Sequence, residues 1–303
     1  MGTIVVGVDE SPSAKAALRW AVHEGEARGW TVKAVLAWTY LQQHHVASDT
    51  KFEPDYGPDQ AADALSRIVA DTLGDEAGRI EQEAVCDLPV PGLLAASEDA
   101  DLLVVGARGL GGFRGLLLGS VSQQCAHHTR IPIVVVREPE SGFDHERPIV
   151  VAVDGSSTSM RALHWALDAA KARKAPVTVV HAWRPIMLAT LDYSVPIVDV
   201  EAFATAGQQV IDEALAAVDL GGLPAPVERL VVEGAPARSI LAAAADASLV
   251  VVGSRGRGGF AGLLLGSVSQ HVITHAACPV VVVPPSERGV TPEDRDKEDD
   301  SDG

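Results

Sequence analysis

Short apolar runs rich in Val and Ile alternate along the chain with longer, Ala-containing stretches in which polar residues recur, and the second half shows this most plainly. Residues 149–153 (IVVAV) read as a strand, after which Ser156 or Ser157 can cap a helix that runs to about Arg173. Residues 177–183 form the next strand, 200–218 a helix, 227–232 a third strand and 237–245 a third helix. A fourth strand covers 248–253 (SLVVVG), a fourth helix has its core at 267–275, and 280–283 is a fifth strand. Strands with almost no polar interruption need cover on both faces, and the intervening helices supply it. The pattern predicts an α/β fold with a doubly wound parallel sheet.

The first half repeats the second. Residues 4–38 and 149–183 align without gaps at an offset of 145 with 16 of 35 positions identical, and 106–136 and 253–283 align at 147 with 20 of 31 identical. The change of offset puts a length difference in the poorly matched middle. Two tandem domains are expected, at 1–137 and 149–284, joined by a linker at 138–148. The stretch 137–148 (REPESGFDHERP) holds six charged residues in twelve, which suits an exposed connection. From Pro284 onward there are eight acids against three bases, so 285–303 reads as an acidic disordered tail.

Charge narrows the function. With 41 Asp plus Glu against 24 Lys plus Arg, the formal charge of −17 argues against nucleic acid or an acidic membrane as partner. No window approaches the roughly 18 uninterrupted apolar residues of a membrane span. The opening apolar run is stopped by Asp9 and lacks a basic flank, which reads as a strand and not a signal peptide. Cys86, Cys125 and Cys278 are odd in number and far apart, as reduced thiols would be, and imply a cytoplasmic protein.

The strongest chemical signal is a glycine-rich stretch between a strand and a helix. It contains Gly106, Arg108, Gly109, Gly119, Ser120, Val121 and Ser122, and recurs as Gly253, Arg255, Gly256, Gly266, Ser267, Val268 and Ser269. Glycines let successive backbone N–H groups converge on an anion, and the start of the next helix adds partial positive charge. The serines can offer hydroxyl donors at the same spot, so the expected ligand is a phosphate. A Walker A loop is excluded because the chain has no Gly-Lys pair. A dinucleotide fingerprint fits formally at Gly256 and Gly258, but it follows the fourth strand and finds only Pro279 and a Val run where the ribose acid belongs. At the end of the first strand of each repeat stand Asp9 and Asp154, which suit either a ribose hydroxyl or the N–H groups opening the next helix.

These residues resemble the universal stress protein family in its tandem form. The pattern G-x-x-G-x9-G-[ST] is complete at Gly106, Gly109, Gly119, Ser120 and at Gly253, Gly256, Gly266, Ser267, with the first-strand Asp in both repeats. The resemblance implies the nucleotide α-hydrolase-like strand order 3-2-1-4-5 in each of two pseudo-twofold-related five-stranded sheets, and membership of the ATP-binding branch. It would set Asp9 and Asp154 against ribose, backbone around Ala37 and Ala182 against adenine, and Gly7 under the nucleotide where repeat two has Ala152. The two glycine loops, with Arg108 and Arg255, would line the phosphates, and Mg²⁺ would accompany ATP. In that order the fifth strands, apolar on both faces, lie at sheet edges, so they are expected to pair across the pseudo-twofold axis, with homodimerisation of chains beyond that.

The function implied is a nucleotide-dependent regulator of stress or growth adaptation with slow or no turnover, answering to an unknown protein partner. A nucleotide-independent interaction module, or an enzyme acting at the ATP α-phosphate, are the alternatives; the S-G-G-x-D-S loop expected of the latter is missing after strand one. Asp87, where repeat two has Gly234, would repel phosphate and weaken site one. No catalytic residue and no metal-ligating set emerges; the pairs His44–His45, His127–His128 and His271–His275 lack a third ligand. Trp20, Trp38, Trp165 and Trp183 recur at the repeat offset and are expected in the core.

Overall fold

Ser11 and Pro12 start the first helix: Ser11 Oγ accepts from Ala14 N–H at 3.2 Å, Pro12 fills the first turn, and Gly29 ends the helix at φ 65°. The computed structural model describes residues 2–40, 55–110, 117–137, 143–144, 146–184, 200–257 and 265–285. Residues 286–303, most of the expected tail, and His44 and His45 lie outside them. Repeat one runs β1 (Thr3–Gly7), α1 (Pro12–Arg28), β2 (Thr31–Trp38), α2 (Pro58–Leu73), a 3₁₀ turn (Gly74–Arg79), β3 (Glu81–Cys86), α3 (Pro89–Ala96), β4 (Leu102–Gly106), α4 (Ser120–His128) and β5 (Ile133–Val136). Repeat two runs β6 (Ile149–Ala152), α5 (Ser157–Arg173), β7 (Val177–Trp183), α6 (Val200–Ala216), β8 (Glu228–Glu233), α7 (Pro236–Ala243), β9 (Leu249–Gly253), α8 (Ser267–His275) and β10 (Val280–Val283).

The strands form one ten-stranded sheet in the order β3-β2-β1-β4-β5-β10-β9-β6-β7-β8. Each half is parallel with the order 3-2-1-4-5, and the halves meet where β5 and β10 pair antiparallel, Val281 opposite Val134. Alternate strand residues serve different faces. Ile4 and Val6 pack with α1, α2, α5 and α6, whereas Val5, Leu103 and Val250 pack with α3, α4, α7 and α8. At the free ends of the sheet, β3 carries Glu81 and Glu83, and β8 carries Glu228 and Glu233, charges that discourage further pairing. The internal strands have no such protection. Repeat one alone (residues 1–137) is therefore expected to self-associate through β5; sedimentation showing a soluble, strictly monomeric fragment at high concentration would refute this.

On the α1/α5 side the two repeats join through a buried ion cluster. Glu24 is 0% exposed; its Oε1 accepts from Arg28 Nε at 2.6 Å and its Oε2 from Arg173 Nε, of the other repeat, at 2.7 Å. The tryptophans interleave with it: Arg173 lies 5.1 Å over the Trp20 ring, and Arg28 4.6 Å over Trp165 and 4.8 Å over Trp30. Trp20 and Trp38 are buried, the latter edge-on to Tyr56, and Trp183 stacks on Phe203 at 5.4 Å. Of the connecting segment, Phe143 packs against the same core. Cys86 is exposed, and burial pushes the thiols of Cys125 and Cys278 up to about 12 and about 11.

Candidate functional site

β1 connects through α1 to β2 on one side, and β4 through α4 to β5 on the other, so a crevice opens between their carboxyl ends. The same reversal occurs between β6 and β9. Such switch points are where open α/β sheets take ligands. Each crevice has an Asp at its floor and a glycine loop over it.

Asp9 ties the two together. Its Oδ1 accepts from Ser11 N–H at 2.9 Å and its Oδ2 from Leu110 N–H, in the glycine loop, at 3.2 Å. Asp154 does the same, with Ser156 N–H at 3.0 Å and Arg257 N–H at 3.1 Å. Gly109 must lack a side chain because a Cβ there would lie 2.8 Å from Asp9 Oδ2, and one at Gly256 would collide with Asp154 Oδ2. Burial pushes the Asp154 pKa up, but the hydrogen bonds from Ser156, Ser159 and Arg257 outweigh it and hold the carboxyl below its ordinary value. Both readings of the acid survive in one geometry: it braces the turn into α1 or α5, and it faces the crevice.

Gly106 and Gly253 let the loop lean on those helices. A Cβ at Gly106 would sit 2.6 Å from Ser13 C, and one at Gly253 2.9 Å from Thr158 C, both backbone atoms that cannot turn aside. Two hydroxyls complete the fastening, one from the N-cap Ser11 and one from Thr158, to which the sequence pattern does not point. Ser11 Oγ donates to Arg108 O at 3.1 Å, and in repeat two Thr158 Oγ1 donates to Arg255 O. The signal for Thr158 is its place in the first turn of α5, two residues beyond the N-cap Ser156.

Gly119 and Gly266 are the N-caps of α4 and α8. Gln123 N–H is bound to Gly119 O and Gln270 N–H to Gly266 O, so the N–H groups of Ser120, Val121 and Ser122, and of Ser267, Val268 and Ser269, precede the first intrahelical bond. These are orphan donors aimed out of a helix start, the chemistry of a phosphate cradle. Ser122 and Ser269, each 2% exposed, do not offer their hydroxyl protons to that space. Ser122 Oγ lies 3.1 Å from Ala107 O and 2.9 Å from Gly119 O as donor, and Ser269 Oγ is 2.9 Å from both Ser254 O and Gly266 O. They fasten the loop to the helix.

Ala37 and Ala182 lie near the ends of β2 and β7, on the opposite wall from the loop. The space a Cβ would take at Gly7 is filled by Leu93 of α3, 2.8 Å away. Arg108 is exposed at the crevice mouth and Arg255 half-buried in the equivalent place. Asp87 turns its Oδ1 to Leu88 N–H at 2.6 Å, at the start of α3, whereas Gly234 uses φ 153°, which an L residue rarely adopts. Among the described residues no three His, Cys, Asp or Glu side chains gather as metal ligands; His271 and His275 stack ring on ring at 4.1 Å.

Comparison with known proteins gives a consistent match. The sequence profile of the universal stress protein family matches residues 1–137 and again 146–284. The chain is 36% identical over 286 residues to a universal stress protein of Mycobacterium tuberculosis, covering 92% of this chain and 95% of that one. It is 33% identical over 291 residues to one from Mycolicibacterium smegmatis, covering 93% and 97%. Among solved structures, a universal stress protein from Archaeoglobus fulgidus has a TM-score of 0.66 at 24% identity, covering 93% of this chain and 98% of that one, a likeness of fold.

Proposed function

The chain belongs to the universal stress protein family, as a tandem of two of its domains, and on that premise we propose that it is an ATP-binding regulator of stress or growth adaptation, with slow or no nucleotide turnover. The observation that carries this is the doubled cradle: at two switch points, orphan helix-start N–H groups, a glycine loop and a carboxylate converge. The residues fit the ligand. Gly106, Gly109 and Gly119, with Gly253, Gly256 and Gly266, let the loops close on their own scaffold, and the N–H groups of Ser120 and Val121, with those of Ser267 and Val268, are left as donors where phosphates with Mg²⁺ would lie. Asp9 and Asp154 each retain lone pairs beyond those used by their N–H partners, enough to accept from ribose hydroxyls. The backbone around Ala37 and Ala182 would then meet the adenine. Bound ATP supplies occupancy to be sensed by a protein partner.

The reading further puts the protein in the cytoplasm, as a homodimer, with domains at 1–137 and 149–284. No helix among the described residues is long and apolar enough to cross a membrane, and a charge of −17 disfavours nucleic acid. Calorimetry with ATP and Mg²⁺ should show up to two molecules bound per chain and weaker heats with GTP. A chain that gives no heat, and carries no nucleotide by native mass spectrometry or 260 nm absorbance when freshly purified, is an interaction module instead.

A further inference from the structure

Arg137, the residue after β5, is held beside cradle one by the strand ladder. Ala107 N–H donates to Val136 O at 2.7 Å, which places the next residue against the first positions of the glycine loop. Its Nη2 donates to Leu117 O at 2.9 Å, two residues before the N-cap of α4, and to Thr274 O at 2.9 Å, in the last turn of α8. The side chain is thus folded down onto the loop and half-buried. In the alignment of the two repeats its counterpart is Pro284, which has no side-chain donor. Among the described residues cradle one therefore has Arg137 beside Arg108, at a position where cradle two has no side-chain donor; cradle two has Arg255 and, where cradle one has Leu110, Arg257 over Gly155.

Among the described residues no carboxylate neutralises the Arg108–Arg137 pair. Burial, and then the positive charge of Arg108, lower the Arg137 pKa from its ordinary value, the sign expected for a cation beside a cation. Two neighbouring cations with no carboxylate partner among the described residues, at the rim of a site suited to anions, favour a ligand whose negative charge extends outward from the cradle. We infer that Arg137 is a specificity-determining residue of cradle one, whose guanidinium joins Arg108 against the outer phosphates of a nucleoside triphosphate. With Nη2 engaged by carbonyls, Nε and Nη1 are the atoms that would meet the ligand. The effect opposes the repulsion expected of Asp87, whose carboxylate is turned to the start of α3.

This inference rests on the nucleotide-binding reading, so its test separates the two. Gly256→Val leaves cradle one and Gly109→Val leaves cradle two, each in the full chain. With cradle one alone, Arg137→Gln should weaken ATP about ten-fold, as for loss of one charge-assisted contact, and AMP less than about two-fold. Arg137→Lys, which keeps the charge and loses the fork, should retain most of the preference for ATP. With cradle two alone, Arg137→Gln should change neither affinity. Equal losses for ATP and AMP would mean that Arg137 only fastens the loop and would overturn the inference, as would an unchanged ATP affinity. Absence of ATP binding by the unaltered chain would overturn both readings.

Discussion

Replacing Glu24 by Gln is expected to cost the folded chain about 3 to 5 kcal/mol, the range found when one partner of a buried ion pair is removed. The isostere keeps the shape and takes away the carboxylate that pairs with both Arg28 and Arg173, whose side chains are 7% and 0% exposed. Two guanidinium groups are then left facing each other out of water. Urea unfolding at neutral pH measures the loss. If it is below about 1 kcal/mol, the cluster is no more than a surface-grade pair. Adding Arg173→Met should recover part of the stability, because it removes one of the stranded charges and leaves a side chain of similar length.

The same pair fixes a pH dependence. Burial pushes the Glu24 pKa up, yet Arg173 and Arg28 outweigh it and hold the carboxyl below its ordinary value of 4.5. A depressed folded-state pKa contributes stability in full above the unfolded value, and loses it as pH falls through the folded one. The gap between the unaltered chain and Glu24→Gln should therefore be widest near neutrality and shrink in acid below about pH 4.

Binding, by contrast, should be removed without loss of fold by Gly109→Val together with Gly256→Val. Both glycines are exposed in the loops, so little core is at stake. Their added Cβ atoms would press on Asp9 and Asp154, breaking the register that the Leu110 and Arg257 N–H groups hold. A loss on the order of 100-fold per site, about 2.7 kcal/mol, is expected. Calorimetry reads the affinity, and thermal melting without nucleotide checks the fold. ATP binding that survives the double change would show that the phosphates lie elsewhere.

Which parts could be read in advance follows from what each residue touches. The strands of repeat two were legible to within a residue or so, 149–153 expected and Ile149–Ala152 found, because apolar runs buried on both faces leave little else to be. The β5–β10 pairing followed from two apolar edges needing cover. Glu24 was not legible. Along α1 it sits among Lys15, Arg19, His23, Glu26 and Arg28, and only the docking of α5 decides which of these go inside. Ser122 and Ser269 were expected as phosphate donors, but at the third position of their helices the hydroxyl reaches the capping glycine's carbonyl first. Arg137 read as part of a charged connection; its one signal was the point where the match between the repeats ends.

In a dimer of identical chains, whatever stands on one side of the twofold axis must stand on the other. The position equivalent to Glu24 is Ala169, while Arg28 and Arg173 are each other's equivalents, so one acid serves both arginines. Two separate copies could not build that: they would bring two acids or none. Joining the copies in one chain frees the interface from self-complementarity, and it also makes the joint independent of protein concentration. Each half can then change alone, so that a single substitution at the axis or at the rim of one crevice alters one site and leaves its twin as it was.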